Sequence, residues 1–421
     1  MLPPRVISRV RPSYTRHELR AALWPAADSV ARFEQELAAH LGVRHALVFT
    51  WGRVAIYATL RALKLTGEVV QPAYTSLTVA HASVTAGCRP VFVDAQADNP
   101  NQDPDAMVER VGPETVAVIP ASALGVTFDV RELCERIRRR NRRALILLDL
   151  CLCFNARWNG ACLAEFGDAA VVAFGSDKPI TTLDGGALVT NRDDIAEAVR
   201  SYRDATLRPP SWSALRRRWL YFVASWIAYS RWGIAIGDVV RRGWRTYVFG
   251  APDLRGSVGL PFDWAQHLPP MAAAIGRVQL RRFGALQRRR TEIATAYDRR
   301  LLGVRGLRLL DLTAPATYGF FYPACVAEPD LRPEVVRGLY RRGVVVGAVW
   351  SYLVPDLECY RERGYSAREF PNAVRWSKTI INLPNYPAMT DADVEQTIVS
   401  VHATFRDAMS APHVTNGNNR R

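Results

Sequence analysis

The chain has 421 residues, 49% of them hydrophobic and 23% charged, with a formal net charge of +15. That balance excludes a disordered chain, which carries far less apolar material, and the length exceeds the roughly 250–300 residues at which a single core stops growing. The positive charge suits a phosphorylated ligand, an anionic membrane or nucleic acid; without zinc-ligand spacing, an RNA-binding aromatic signature or a basic heptad helix, nucleic acid is not the expected partner.

Residues 1–30 read as an N-terminal arm, in which Arg and Pro alternate with short apolar pieces and no signal-peptide run occurs. Ser29 to Leu41 places Val30, Phe33, Leu37 and Leu41 at helical spacing and stops at Gly42. A strand over His45–Thr50 runs into Trp51-Gly52-Arg53 and a second helix through Leu63. Strand, glycine turn, helix is the order that presents backbone N–H groups to a phosphate. Strands then alternate with helices: Val69–Gln71, helix Thr78–Ala86, Pro90–Val93, Thr115–Pro120, helix Val130–Arg140, Ala144–Asp149, Ala169–Phe174 and Gly185–Thr190. Such alternation predicts a mostly parallel sheet covered on both faces, and residues 31–210 form the expected large unit. Cys151 and Cys153 fall in apolar, strand-like sequence, so the seven cysteines are expected to be reduced thiols in the cytoplasm.

Residues 211–262 differ in composition. Between 212 and 250 lie Trp212, Trp219, Trp226, Trp232 and Trp244, with seven arginines against the single acid Asp238. The uncharged run Trp219–Ser230 is twelve residues, short of the roughly 20 that cross a bilayer. Two readings stay open: an in-plane helix at anionic headgroups, giving peripheral contact with the inner membrane face, or a helical hairpin packed on the protein or its dimer interface. Residues 263–412 read as a smaller α+β unit, with a strand Tyr322–Val326, a helix Pro333–Arg341, a strand Val344–Ala348 and a last helix near Asp391–Phe405. Residues 413–421 read as a disordered tail.

Only three lysines occur, Lys64, Lys178 and Lys378, beside 52 arginines. Schiff-base chemistry needs an amine that can lose its proton, which arginine cannot do. Lys64 ends an amphipathic helix, and Lys378 precedes a strand of the smaller unit. Lys178 follows a buried strand and precedes Asp184-Gly185-Gly186, a turn that lets backbone approach a ligand. Asp149 ends an apolar strand, where open α/β sheets bind ligands; its carboxylate can keep a pyridine nitrogen protonated or cap the next helix.

These segments, together with Pro72-Ala73-Tyr74-Thr75, Gly87 to Asp94, Lys178 to Gly186, Met271 to Gly276, Phe370-Pro371 and Leu383 to Pro387, resemble the DegT/DnrJ/EryC1/StrS family of sugar aminotransferases from Phe33 to about Phe405. The resemblance implies a fold-type I homodimer with shared active sites and pyridoxal 5'-phosphate (PLP) as cofactor. It further implies transfer of an amino group from a donor such as glutamate to a keto sugar on a nucleotide diphosphate, for polysaccharide, glycolipid or antibiotic sugar synthesis. Lys178 would be the Schiff-base lysine and proton shuttle, Asp149 the partner of the pyridine nitrogen, and Gly52 with Arg53 the phosphate cradle.

Several positions depart from the family pattern. Leu152 stands for a glutamine, and Ala173 for a serine, leaving Ser176 as the substitute phosphate contact. Ser76 occupies the place of a ring-stacking aromatic. Ala265 replaces the asparagine lent by the neighbouring subunit, with Gln266 the nearest polar residue, and His267 stands where arginine is usual. Two alternatives follow: an enzyme of this fold acting on a lipid-linked or non-sugar substrate at the membrane, or a degenerate scaffold or regulator.

Overall fold

A computed structural model describes residues 6–228, 258–310, 321–347 and 349–410. Its main sheet contains β1 (His45–Phe49), β2 (Glu68–Pro72), β3 (Arg89–Val93), β4 (Thr115–Val118), β5 (Leu145–Asp149), β6 (Ala169–Ala173) and β7 (Gly186–Thr190), in the order β1-β7-β6-β5-β4-β2-β3. The pairs β2–β3, β2–β4, β4–β5 and β5–β6 are parallel, whereas β7 runs antiparallel to both neighbours. Every residue of β5 and β7 is buried. Their near-continuous apolar sequence is what a strand covered on both faces requires.

Helices α1 (Arg16–Leu23), α2 (Ser29–Leu41), α3 (Gly52–Ala62), α4 (Leu77–Thr85), α5 (Val130–Arg140) and α6 (Asp193–Thr206) surround this sheet. On one side Phe33 and Leu37 of α2 and Leu133 and Ile137 of α5 share a core with Ile146 and Leu148. On the other, Val54 and Ile56 of α3 pack with Val79 of α4, Val199 of α6 and Leu147. α2 ends where the sequence places its stop: Gly42 takes φ 72° and donates back to the carbonyls of Ala38 and Ala39.

The Trp/Arg-rich segment begins with α7 (Trp212–Ala228). This part packs on the protein's own surface: Phe222 is fully buried with Ala22, Leu183, Met271 and Ile275, and Tyr14 stacks on Trp226 at 6.1 Å. Leu220, Val223 and Ile227 face outward at 64%, 45% and 61% exposure. Trp232 and Trp244 lie outside the described residues. No helix among the described residues is long and apolar enough to cross a membrane.

A 32-residue helix, α8 (Pro270–Leu301), follows. Its first half joins the main core through Ala272, Ala273, Leu280 and Phe283, and its second half joins another through Ile293, Tyr297 and Leu301. That second core lies under a three-stranded antiparallel sheet of β8 (Leu307–Leu309), β9 (Phe321–Val326) and β10 (Ile380–Pro384), in that order. Helices α9 (Arg332–Arg341), α10 (Pro371–Thr379) and α11 (Asp391–Ser410) complete the smaller α+β part. The strand expected over Val344–Ala348 is not a ladder strand: Val344 bridges Ile7 and Gly347 bridges Asn382. Ala348 lies outside the described residues.

Candidate active site

The carboxyl ends of β5 and β6 and the N-termini of α3 and α4 open into one cavity of about 830 Å³. This is the crevice where open α/β sheets place ligands. Its floor carries Gly52 and Arg53, Ser76, Asp149, Cys151, Leu152, Ala173 and Lys178. Its opposite wall carries Arg9, Arg332, Val349, Trp350, Tyr352 and Lys378.

The N-terminus of α3 is held open by close approach. No side chain caps it, because Trp51 occupies the N-cap position in extended conformation. The N–H groups of Gly52 and Arg53 therefore have no hydrogen-bond partner among the described residues, and they add to the partial positive charge of the helix end. A Cβ on Gly186 would overlap Gly52 N and Cα and sit 2.8 Å from the Trp51 carbonyl carbon. Only glycine at 186 lets β7 pass so close beneath the cradle. Trp51 is fixed from below: its Nε1–H donates to Asp263 at 2.8 Å, and Arg218 of α7 donates to the other Asp263 oxygen at 3.0 Å. Burial draws the Arg53 guanidinium below its usual range, while the neighbouring Tyr352 phenol opposes that shift.

Asp149 is 7% exposed. One carboxylate oxygen accepts the Cys151 N–H at 3.0 Å in the turn after β5, where no helix begins for it to cap, and the Cys151 thiol also hydrogen-bonds to the carboxylate. Lys178 sits half-buried after the Phe174–Asp177 turn, with its N–H donating to the Gly175 carbonyl at 3.0 Å. The buried Cys151 thiol, pushed well above its usual range by desolvation first and by Asp149 next, also senses the Lys178 ammonium, which pulls it down. Lysine and carboxylate thus face a common space from β5 and β6.

Other expected residues are placed differently. Ser76 lines the cavity as the N-cap of α4, accepting from the Thr78 N–H at 3.4 Å. Tyr352 stands against it: its phenol oxygen accepts the Leu77 N–H at 3.1 Å, and burial raises its pKa to about 12. An aromatic ring thereby reaches the edge where Ser76 supplies none, and it comes from residues 276 positions away. Ser176 does not line the cavity of its own chain; its hydroxyl accepts from Tyr221 of α7 at 3.2 Å. Gln266 is also outside that cavity, bridged in parallel to Arg208, with His267 donating to the Arg208 carbonyl at 2.9 Å. Lys378, set apart from the chemistry by its sequence position, lies exposed at the cavity rim. Arg9, Arg332, Trp350 and Tyr352 had no local signal, since each enters the cavity from a segment whose own pattern names no ligand.

The floor fits PLP on two observations. The open N–H pair at the α3 N-terminus is an anion cradle, and the Asp149 carboxylate lining the same cavity offers a negative charge to a ring nitrogen. When bound, the cofactor supplies an electron sink.

The sequence profile of the DegT/DnrJ/EryC1/StrS aminotransferase family matches residues 12–228 and 248–402. The chain is 26% identical over 388 residues to the spore coat polysaccharide biosynthesis protein SpsC of Bacillus subtilis, covering 90% of each. It is 28% identical over 373 residues to the dTDP-4-dehydro-2,3,6-trideoxy-D-glucose 4-aminotransferase of Saccharopolyspora spinosa, covering 86% of this chain and 85% of the relative. The crystal structure of the aminotransferase TlmJ from Streptoalloteichus hindustanus superposes with a TM-score of 0.76 at 25% identity, covering 96% of this chain and all of that one.

Proposed function

The chain belongs to the DegT/DnrJ/EryC1/StrS aminotransferase family and is a PLP-dependent aminotransferase; from that premise we propose that it aminates a keto sugar carried on a nucleoside diphosphate. The observation that carries this reading is the convergence of Lys178, Asp149 and the open α3 N-terminus on one cavity. In it, Lys178 would hold the cofactor and its amine would carry the proton to and from the substrate carbon. Asp149 keeps the ring nitrogen charged, and Gly52 with Arg53 anchors the phosphate. Ser76 with Tyr352 closes one edge of the site, and Ser176 is tied to α7, which steadies the loop before the lysine. Gln266 lies outside the cavity of its own chain; in a homodimer with shared sites it would be the polar residue lent to the second copy. The name of the Saccharopolyspora relative supports the sugar-nucleotide class.

Half-transamination tests this reading. The visible band of the cofactor-bound enzyme should bleach with glutamate and return on addition of a nucleotide-linked keto sugar, and Lys178→Ala should have no such band. A band that no amino donor bleaches would overturn it.

A second reading concerns where the enzyme works. Leu220, Val223 and Ile227 form an exposed apolar stripe on α7, flanked by exposed Arg216 and Arg217, which suits an anionic lipid surface. Sedimentation with anionic vesicles, repeated with all three apolar residues changed to serine, tests it; equal binding of both forms would exclude the stripe as the anchor.

A further inference from the structure

The N-terminal arm is part of the cavity wall. Ile7 is 1% exposed and pairs with the segment that follows α9: its N–H donates to the Gly343 carbonyl at 2.8 Å and its carbonyl accepts from the Val345 N–H at 2.9 Å. Two residues on, the Arg9 side chain crosses Gly347. A Cβ on Gly347 would overlap Arg9 Cδ and lie 3.2 Å from both Cγ and Nε. The Gly347 backbone takes no left-handed φ, so conformation does not demand glycine there. The path of the arginine does. The notch cannot easily yield, because Gly347 and Asn382 exchange backbone hydrogen bonds at 3.0 and 2.9 Å.

Beside Arg9, Arg332 lines the same wall and donates to the Ser377 carbonyl at 2.5 Å, which ties it to the residue preceding Lys378. Arg9 and Arg332 are half-buried, whereas Lys378 is exposed at the rim, with Asp330 the acid on this side. On the floor, the α3 N-terminus and Arg53 already address the cofactor phosphate. Arg9, Arg332 and Lys378 line the wall apart from that cradle.

Resting on the aminotransferase reading above, we propose that Arg9, threaded through the Gly347 notch, forms with Arg332 and Lys378 a second anion subsite that holds the diphosphate of the acceptor. The depth order supports that ligand. A diphosphate gripped midway along the wall leaves the nucleoside at the exposed rim and sends the sugar inward to Lys178. Guanidinium groups suit this role because their planar forks pair with phosphate oxygens in two-point contacts.

The test is calorimetric binding of inorganic pyrophosphate and of thymidine diphosphate to the PLP-loaded full-length enzyme, in which the cofactor phosphate already fills the floor cradle. Arg9→Gln should weaken both by about tenfold or more, the equivalent of one charge-assisted contact. Gly347→Val keeps the charge but blocks its path and should weaken them similarly. Lys378→Met, at an exposed position outside the core, should show a smaller loss. In half-reactions, Arg9→Gln should raise the acceptor KM with little change in bleaching by glutamate. Equal pyrophosphate affinity in wild type, Arg9→Gln and Lys378→Met would overturn the subsite. So would a defect confined to the glutamate half-reaction, which would assign the anion to the donor carboxylate. If no keto sugar is aminated, the function proposed above fails, while pyrophosphate binding still reads the subsite by itself.

Discussion

The floor and the wall of the cavity are built by opposite means. The floor is made of strand ends and a helix N-terminus, each with its own local signal: Asp149 and Lys178 leave neighbouring parallel strands, and Gly52 begins the helix that follows β1. The wall is assembled from the arm, α9, the segment after Gly347, and α10, which meet only because the smaller sheet folds against the larger. A floor built on buried strands positions reactive groups rigidly, whereas a wall of half-buried cations adapts to the ligand it admits. On the proposed reading, chemistry belongs to the floor and substrate choice to the wall.

Substitutions can break or sharpen this division. The largest effect is expected at Lys178: Lys178→Ala should remove the visible cofactor band and cut turnover by at least about 10⁴-fold, since proton transfer alone contributes 10²–10⁴. Single-turnover kinetics and absorbance check it. Next comes the support beneath the floor. Arg218 and Asp263 form an ion pair whose side chains are each 6% exposed, and Arg218→Ala leaves Asp263 buried and uncompensated at a cost of about 3–5 kcal/mol. Denaturant unfolding should show that loss, and cofactor affinity should fall with it because Trp51 hangs on Asp263.

The third effect is a pH dependence. Burial raises the Asp184 carboxyl to about 6, with Asp263 and Asp177 pushing the same way and Arg218 opposing. The folded state therefore binds the Asp184 proton more tightly than the unfolded state. Its stabilisation is fully present below the unfolded pKa near 4 and is lost as pH rises through about 6, by roughly 3 kcal/mol in all. Asp184→Asn should flatten that part of the stability profile.

Fourth, Asp149→Asn keeps the acceptor for the Cys151 N–H but loses the charge, and turnover should drop about ten- to a hundredfold, as for a lost charge-assisted hydrogen bond. The protein should stay folded, which near-ultraviolet circular dichroism would verify. The smallest effect is on the wall. Tyr352→Phe leaves the Leu77 N–H without its acceptor and should cost about 1–3 kcal/mol. Should it cut turnover as deeply as Lys178→Ala, the division between floor and wall would be wrong.

Much of the floor was legible because its signals are local. An apolar run ending in Asp149, a strand followed by Lys178, and paired glycines at 185 and 186 each carry their meaning within a few residues. Gly186 shows the limit of such reading. Its place in a glycine turn is visible in sequence, yet the reason it must be glycine, the passage under Gly52, appears only when β1 and β7 pair. The same holds for the Trp/Arg-rich segment, where composition left two readings open. Over 212–228, the contacts of Arg218, Phe222 and Trp226 place the inner face of α7 on the enzyme and leave an apolar stripe outside.

By itself the sequence indicated the fold class through strand and helix alternation, the family through its resemblance in short motifs, and Lys178 through the scarcity of lysine in the whole chain, because none of these signals depends on long-range contacts. Tertiary structure alone decided the wall. Arg9 and Gly347 lie 338 residues apart, and neither has a pattern around it that names the other. They meet because the segment after α9 bridges β10 at Gly347 and pairs with the arm at Ile7, and that long-range backbone pairing carries an arginine into the cavity.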